Sequence, residues 1–305
     1  MDYSYLLFSL SIVLTSISPV FLKTFKQYFF INMLISVLSM FIISVILIKI
    51  KSYYEKDYIF EDKLNLAFKY DNIKLSLVSL LRFFLLQYGV INVPLLISVP
   101  LKKLSIITTL LFDRYLYNAH ISSIMYYIFF GVLFGNLVMG GDILFKNEKN
   151  LKGQKSQNNT SLVIGIISLI LSVFLIGYLV NKFKHIAEQE DELTVTCIQS
   201  GAASVIMLFL FFMLYFSNKI NIPDFKSLFQ MILGIVFILD FALLLKFSAF
   251  KQLSIEYSLI LSQLGILLGS LIGIFYYNEK LTIIKGIGLV IVMLSSILGG
   301  FYLKK

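Results

Sequence analysis

The chain has 305 residues, of which 58% are hydrophobic and 14% are charged, and its net charge is +9. A soluble domain carries about 25% charged residues, so this composition excludes a cytosolic enzyme and argues against a soluble nucleic-acid binder. Lipid is the solvent that suits the chain, because its lysines lie mainly between long apolar runs, where they would flank a membrane.

Apolar runs long enough to cross a bilayer occur along the whole chain. A membrane-crossing helix needs about 20 apolar residues, and most of these runs are rich in Leu, Ile and Phe and bounded by charge. The polar loop 49–74 between the second and third runs is long enough to carry a surface helix. The sequence therefore predicts an all-α integral membrane protein with ten transmembrane helices, at 4–22, 28–48, 75–93, 94–112, 121–141, 161–180, 195–216, 227–247, 254–275 and 283–302.

A polar stretch rich in Gln and Asn divides the ten spans into two sets of five. The segment RFFLLQ, which begins at Arg82, matches DFALLL, which begins at Asp240, and the pair Gly140-Gly141 matches Gly299-Gly300. An odd number of spans per half requires the halves to insert in opposite orientations, which is the inverted-repeat plan of secondary transporters. The predicted organisation is a first repeat at 1–148, a linker at 149–160 and a second repeat at 161–305.

The distribution of basic residues predicts the orientation. With the N-terminus in the cytosol, the cytosolic side carries 13 Lys and Arg residues and the other side carries 10. Cytosolic loops are enriched in Lys and Arg, so both termini are predicted to be cytosolic.

Four charged residues lie well inside predicted spans, away from the span ends: Arg82, Lys102, Lys103 and Asp240. Each costs about 2.5–3.5 kcal/mol at a helix centre, so each needs a partner or a water-filled cavity. Arg82 and Asp240 could form a structural ion pair, and one lysine could snorkel to the interface or bond a neighbouring helix. The three cations and one anion leave a net +2 at membrane depth, which a phosphorylated anion would offset. We therefore predict an anionic small-molecule ligand.

Three further side chains are candidates for the same cavity. Ser262 and Gln263 follow Lys102 and Lys103 by an offset of 160 residues, which makes them the counterparts of these lysines in the second repeat. Both could instead form hydrogen bonds between helices. Tyr88 could stack on a base or a sugar, or could serve only in packing.

The remaining chemistry is sparse. Cys197 is the one cysteine, and the two histidines lie far apart, so the sequence predicts no catalytic residue, metal site or cofactor. Gly265, Gly269 and Gly273 recur at four-residue spacing in the ninth span, which predicts close packing against another helix.

Two segments resemble a known superfamily. The last two spans, with the connector Glu279-Lys280-Leu281-Thr282 between them, resemble the closing unit of the EamA-like drug/metabolite transporter superfamily. The segment Leu101–Ser122 is similar to the fourth span of nucleotide-sugar transporters, with Lys102 on a matching position. The guanine-binding motif of GDP-mannose transporters has no match, since the ninth span reads SLILSQLG, which argues against GDP-mannose itself.

The resemblance implies a ten-helix, alternating-access carrier rather than an enzyme, with the third, fourth, eighth and ninth spans near the cavity. Its expected substrate is a nucleotide sugar, exchanged for a nucleoside monophosphate. Alternatives are an EamA-like exporter of other small metabolites and a membrane scaffold without transport activity. The expected location is the Golgi or ER membrane rather than the plasma membrane, with no nucleic-acid partner, and a homodimer is left open.

Overall fold

The computed structural model of the chain describes residues 3–118, 123–145, 159–250 and 255–302. These residues are helical almost throughout, and no strand occurs among them. Helices suit a lipid environment because each one satisfies its own backbone hydrogen bonds. The helices are α1 Tyr3–Thr24, α2 Phe29–Tyr54, α3 Phe60–Ala67, α4 Tyr70–Asn92, α5 Leu95–Lys103, α6 Ser105–Tyr117, α7 Ser123–Phe145, α8 Asn159–Ala187, α9 Glu192–Phe216, α10 Phe225–Gly234, α11 Phe241–Phe250, α12 Ile255–Tyr277 and α13 Ile283–Tyr302.

Six helical stretches in the described part of the chain are long and apolar enough to cross a membrane. They coincide with the first four predicted spans and with the sixth and seventh, and this is the architecture of an all-α, multi-pass membrane protein. Helices α7, α12 and α13 contain shorter apolar stretches. The total of ten crossings stays a prediction. The short helix α3 lies in the polar loop where a surface helix is predicted.

The predicted fourth span is interrupted near its middle. Pro100 has no N–H to donate to the preceding turn, and four residues later the chain departs from regular α-helix. The N–H of Leu104 bonds the carbonyl of Leu101 at 3.0 Å, three residues back instead of four. Helix α5 therefore ends at Lys103, and α6 begins at Ser105.

The predicted eighth span is interrupted in a different way. A π-helical segment, Ile235–Asp240, separates α10 from α11. The N–H of Phe241 bonds the carbonyl of Val236, five residues back, which is the hydrogen-bond pattern of a π-helix. Such segments occur frequently at functional sites, and this one ends on an ionisable residue.

Helices from the two predicted halves pack directly on each other. Helix α4 lies against α8 and α9, α2 lies against α9, and α7 lies against α13. Helix α1 lies against α11, the π-helical segment and α12, while α5 lies against α12. Buried residues of both halves, including Val90, Ile97, Leu169, Ile266 and Val292, form one apolar core.

Glycines allow the close approach of α12 to α5. A Cβ built on Gly269 would lie 2.7 Å from Val99 Cγ2, and one on Gly273 would lie 3.2 Å from Leu95 Cβ. Both neighbours belong to α5. The predicted role in close helix packing is therefore confirmed for these two glycines.

Replacing Gly269 by Ala places a methyl group against Val99 and should destabilise the fold by about 1–3 kcal/mol, because the packed core must shift. The measurement is the Tm of the purified protein in detergent. Gly286→Ala on α13 is the matched control, since a Cβ there meets nothing within 4 Å and Ala favours the helix. Combining Gly269→Ala with Val99→Ala should recover part of the lost Tm. Equal Tm values for the two single variants would contradict the close α5–α12 contact.

Candidate functional site

Two cations lie within electrostatic range of each other in the helix bundle. Arg82 lies in the middle of α4, with its Cζ 5.6 Å from the ring centroid of Phe83 and its buried Nε without a hydrogen-bond partner. Lys102 lies at the end of α5, within electrostatic range of Arg82. In the described part of the chain, neither cation pairs with an acid. Two like charges repel strongly in a low-dielectric interior, so this arrangement favours an anion between them.

Buried polar atoms without hydrogen-bond partners lie on α4 and α5 and on several of the other helices. More than about 90% of buried polar groups in native proteins are paired, so a set of unpaired ones indicates space that water or a ligand fills. Ser98 and Lys102 are four residues apart on α5 and therefore share one face of that helix. In the described part of the chain, the unpaired atoms belong to Ser79, Arg82 and Gln87 on α4, Ser98 on α5, Gln199 on α9, Ser270 on α12, Asn136 on α7 and Asp240 in the π-helical segment.

A small pocket between α2, α4 and α9 contains two of these side chains. Ser79 and Gln199 line it together with Phe83. One turn away, Ser76 joins α4 to α9, because its hydroxyl donates to the Gln199 carbonyl at 3.1 Å and accepts from the Ala203 N–H at 2.9 Å. The sequence interpretation missed Ser79 and Gln199. The signal available was the recurrence of polar residues along one face of the third span.

Asp240 lies alone at the end of the π-helical segment. Its side chain is buried, and neither carboxylate oxygen has a hydrogen-bond partner among the described residues. The nearby hydroxyl of Ser39 donates instead to the Ile35 carbonyl at 2.6 Å. No ion pair joins Asp240 to Arg82 in this structure, although both residues are described. Their pairing stays a prediction for another access state.

The other predicted site residues fall in three places. Lys103 ends α5, and Ser262 and Gln263 lie on α12, but the side chains of all three are outside the described part of the structure. Tyr88 stacks on Phe84 with ring centroids 6.5 Å apart. Both rings lie on the side of α4 that points away from Arg82, since residues advance by about 100° along a helix. The structure thus brings together Arg82 and Lys102 and places Tyr88 elsewhere.

Glu279 joins the two halves at one end of the bundle. Its Oε1 accepts the Leu95 N–H at 2.7 Å and its Oε2 accepts the Leu96 N–H at 2.9 Å, so the carboxylate caps the N-terminus of α5. Lys23, near the end of α1, lies 3.6 Å from the same carboxylate. Pro94 occupies the N-cap position of α5 and supplies no side-chain acceptor, which explains why α5 needs an acceptor from elsewhere. We call these residues the Glu279 cluster.

A second polar cluster joins the two halves at the C-terminal end of α2. Lys51 in the last turn of α2 pairs with Asp191 at 2.8 Å, and Asp191 also accepts the Thr194 N–H at 2.7 Å as the N-cap of α9. Tyr58 bonds the Thr194 hydroxyl at 3.2 Å, and Lys63 pairs with Glu190. We call these residues the Asp191 cluster.

The Asp191 cluster changes the acid–base behaviour of its members. Burial opposes ionisation of Asp191, but hydrogen bonds from Lys51, Tyr58 and Thr194 outweigh it and lower the pKa of Asp191 to about 2. Burial, followed by the adjacent Asp191, raises the pKa of Tyr58. Because the pKa of Asp191 is depressed in the fold, the cluster stabilises the protein above about pH 4 and loses this contribution as the pH falls towards 2.

Removing the Glu279 carboxylate should destabilise the protein strongly. Glu279→Ala leaves two buried N–H groups of α5 unsatisfied and Lys23 without its anion, which should cost about 3–5 kcal/mol. Glu279→Gln should lose less, because an amide oxygen still accepts one of the two bonds. The Tm in detergent checks this order. Lys280→Ala, at the exposed neighbouring position, is the control, and a Tm for Glu279→Ala equal to that of Lys280→Ala would contradict the cap.

The fold and the site together define a multi-pass helical membrane protein whose interior holds charged and unpaired polar groups. Residues 163–300, somewhat less than half of the chain, match the EamA-like transporter family. This range includes the π-helical segment, Asp240 and Glu279. The match supports the drug/metabolite transporter superfamily, whose EamA-like members are transporters of small molecules rather than enzymes. A comparison with curated proteins gave no match.

Proposed function

We propose that the protein is a secondary transporter that moves an anionic small metabolite by alternating access. The observation that carries this proposal is the placement of Arg82 and Lys102 within electrostatic range of each other, both half-buried and without an acidic partner among the described residues. A phosphate group offers several acceptor oxygens and a charge of opposite sign, so it would relieve the repulsion between the two cations. Our first candidate substrate is a nucleotide sugar, exchanged for a nucleoside monophosphate.

Helix packing supports a five-plus-five inverted repeat. If the first five spans correspond in order to the last five, α1 is the counterpart of α8, and α4 is the counterpart of the eighth span, which contains the π-helical segment and α11. The contact of α4 with α8 then has its counterpart in the contact of α1 with α11 and the π-helical segment. In the pairs α2 and α9, α5 and α12, and α7 and α13, the two helices are each other's counterparts, so the two-fold relation leaves each of these contacts unchanged. All of these contacts occur. A two-fold relation of this kind is the basis of alternating access in many carriers.

A backbone detail supports the same correspondence. Asn118 follows α6 and Asn278 follows α12, and both adopt a left-handed conformation with φ of 52°. Their separation of 160 residues equals the offset that relates Lys102 to Ser262. Asn is among the few residues that adopt this conformation readily, and it commonly ends helices there.

The two polar clusters suit a carrier that opens at alternate ends. Each cluster joins residues of the first half to residues of the second. The two clusters lie towards opposite ends of α2: Lys51 is in its last turn, Lys23 shortly precedes its first, and the helix has 26 residues and a length of about 39 Å. In alternating access one such end must open while the other stays closed. We infer that these clusters close the two ends in turn.

A second candidate is export of another small metabolite. The EamA-like match is its support, since the comparisons name no nucleotide sugar. The decisive experiment is uptake into proteoliposomes preloaded with nucleoside monophosphates, tested against a panel of nucleotide sugars, uncharged sugars and organic cations. Stimulated uptake of anions alone supports the proposal. Uptake confined to uncharged or cationic compounds would refute the anion site.

Replacing Lys102 by Gln should reduce anion uptake by about tenfold or more, because a hydrogen bond to a charged group is lost. The Tm should not fall, since the repulsion with Arg82 disappears. Uptake rate and Tm are measured on the same preparations, with Lys103→Gln alongside. Lys226→Gln, at an exposed position of α10, is the control. Normal uptake by both Lys102→Gln and Lys103→Gln would exclude the anion site.

The inverted repeat also predicts the membrane topology. With five crossings in each half and both termini in the cytosol, single cysteines introduced at Gln154 and Lys305 should react with an impermeant reagent from opposite faces. The background is Cys197→Ser, which removes the native thiol. We place the protein in the Golgi or ER membrane, where intact vesicles allow the two faces to be distinguished. Labelling of both positions from one face would exclude the five-plus-five arrangement.

A further inference from the structure

We propose that Asp240 is a proton-binding site that couples net movement of the anion to movement of a proton. This inference rests on the proposed anion site at Arg82 and Lys102 and adds a driving ion to it. Three observations support it: the isolation of the Asp240 carboxyl group, its position in the π-helical segment, and the lack of a described acidic side chain paired with Arg82.

The surroundings of Asp240 contain no described charge that could compensate a carboxylate. The π-helical segment packs against α1 and α2 and continues into α10 and α11. The polar group near the carboxyl is the hydroxyl of Ser39, which is engaged by a backbone carbonyl. The side chain of Lys246 on α11 is outside the described part of the structure. The described ionisable side chains on these helices lie towards the helix ends and are Lys23 on α1, Lys49, Lys51, Tyr53 and Tyr54 on α2, and Lys226 on α10.

This environment favours the neutral acid over the carboxylate. The side chain is only 3% exposed, and in the described part of the structure both oxygens lack hydrogen-bond partners. Burying an isolated ionised carboxylate is so unfavourable that such a group binds a proton instead. We therefore assign the state described here to protonated Asp240, with Arg82 and Lys102 left free for the anion.

Loss of the proton makes the buried position of Asp240 unfavourable, so the side chain is expected to move. An ionised Asp240 must reach water or a cation, and Arg82 occupies the matching position of the first repeat. The π-helical segment lacks the regular α-helical bonding and is the element of the span best able to rearrange. When the anion leaves, the ionised carboxylate of Asp240 moves into the position that the anion occupied beside Arg82. In this pair the charge of Arg82 is compensated, so the empty carrier can return.

The resulting cycle is balanced in protons, and it moves no net charge when the anion carries one negative charge; an anion of higher charge carries the excess across the membrane. On one side a proton from water adds to a carboxylate oxygen of Asp240, and the anion binds at Arg82 and Lys102. On the other side the anion leaves, the proton returns to water, and Asp240 pairs with Arg82. Exchange of one anion for another needs no proton release, whereas net uptake needs one proton for each turn.

The first test observes the proton directly. Infrared spectra of the reconstituted protein should contain the carbonyl stretching band of a protonated carboxylic acid that titrates with pH and is missing in Asp240→Asn. Asp224→Asn is the matched control, because Asp224 is an exposed carboxylate at the start of the same span and Asn also caps helices. This control should keep the band. If wild-type protein and Asp240→Asn have the same spectrum at every pH, the proton site is refuted.

The second test separates exchange from net uptake in proteoliposomes with the membrane potential clamped at zero. A gradient of one pH unit should drive about tenfold accumulation of the anion by the wild type if one proton moves with each anion. Asp240→Asn should exchange anions at near the wild-type rate but accumulate none, because Asn cannot replace the anion at Arg82. Asp240→Glu keeps an ionisable carboxyl group and should restore part of the accumulation. This result distinguishes loss of the proton site from a general folding defect in Asp240→Asn.

The outcomes distinguish this inference from the proposed function. Accumulation by Asp240→Asn equal to that of the wild type would overturn proton coupling at Asp240 while leaving anion transport intact. Transport of no anion by the wild type, with the Asp240 band present, would refute the proposed substrate class and still support the proton site. Loss of exchange together with accumulation in a folded Asp240→Asn variant would also overturn the inference, because Asp240 would then be required for anion binding itself.

Discussion

Hydrocarbon provides no hydrogen-bond partner for a buried polar group and screens charge poorly, and the arrangement of this protein follows from that constraint. The spans are helices because a helix pairs its own backbone. Helix α5 begins inside the bundle after a proline, so its first N–H groups need another acceptor, and Glu279 supplies it from the opposite half of the chain. A requirement of the backbone thereby becomes a link between the halves.

Two of the interior charged residues lie beside irregular backbone, whereas Arg82 lies in the regular helix α4. A regular helix fixes the direction of each side chain, whereas the break after Lys103 and the π-helical segment before Phe241 interrupt the regular α-helical hydrogen bonding. Lys102 and Asp240 each lie beside one of these interruptions. In transporters, interrupted helices commonly form the substrate and ion sites near the middle of the bilayer. The two interruptions fall in the fourth and the eighth spans, which are not counterparts of each other in the predicted inverted repeat.

Polar groups in this protein divide into those that are satisfied and those that are not. At the ends of the bundle, the Glu279 and Asp191 clusters pair nearly every group with a partner from the other half. In the interior, Arg82, Gln87 and Asp240 retain atoms without partners. Paired groups stabilise one arrangement, whereas unpaired groups bind ligands or change partners. The division therefore separates groups that join the halves in this arrangement from groups that remain open to a new partner.

The sequence alone determined the membrane class, the approximate helices, the residues charged at membrane depth and the glycines that allow α12 to approach α5. These are local properties, read from composition and from the spacing of residues along one helix. The tertiary structure decided which groups meet. Arg82 lies near Lys102 rather than Asp240, Ser79 and Gln199 share a pocket, and Glu279 caps a helix that begins 184 residues earlier. Such contacts depend on how helices distant in sequence pack, and helical periodicity carries no information about the identity of the neighbouring helix.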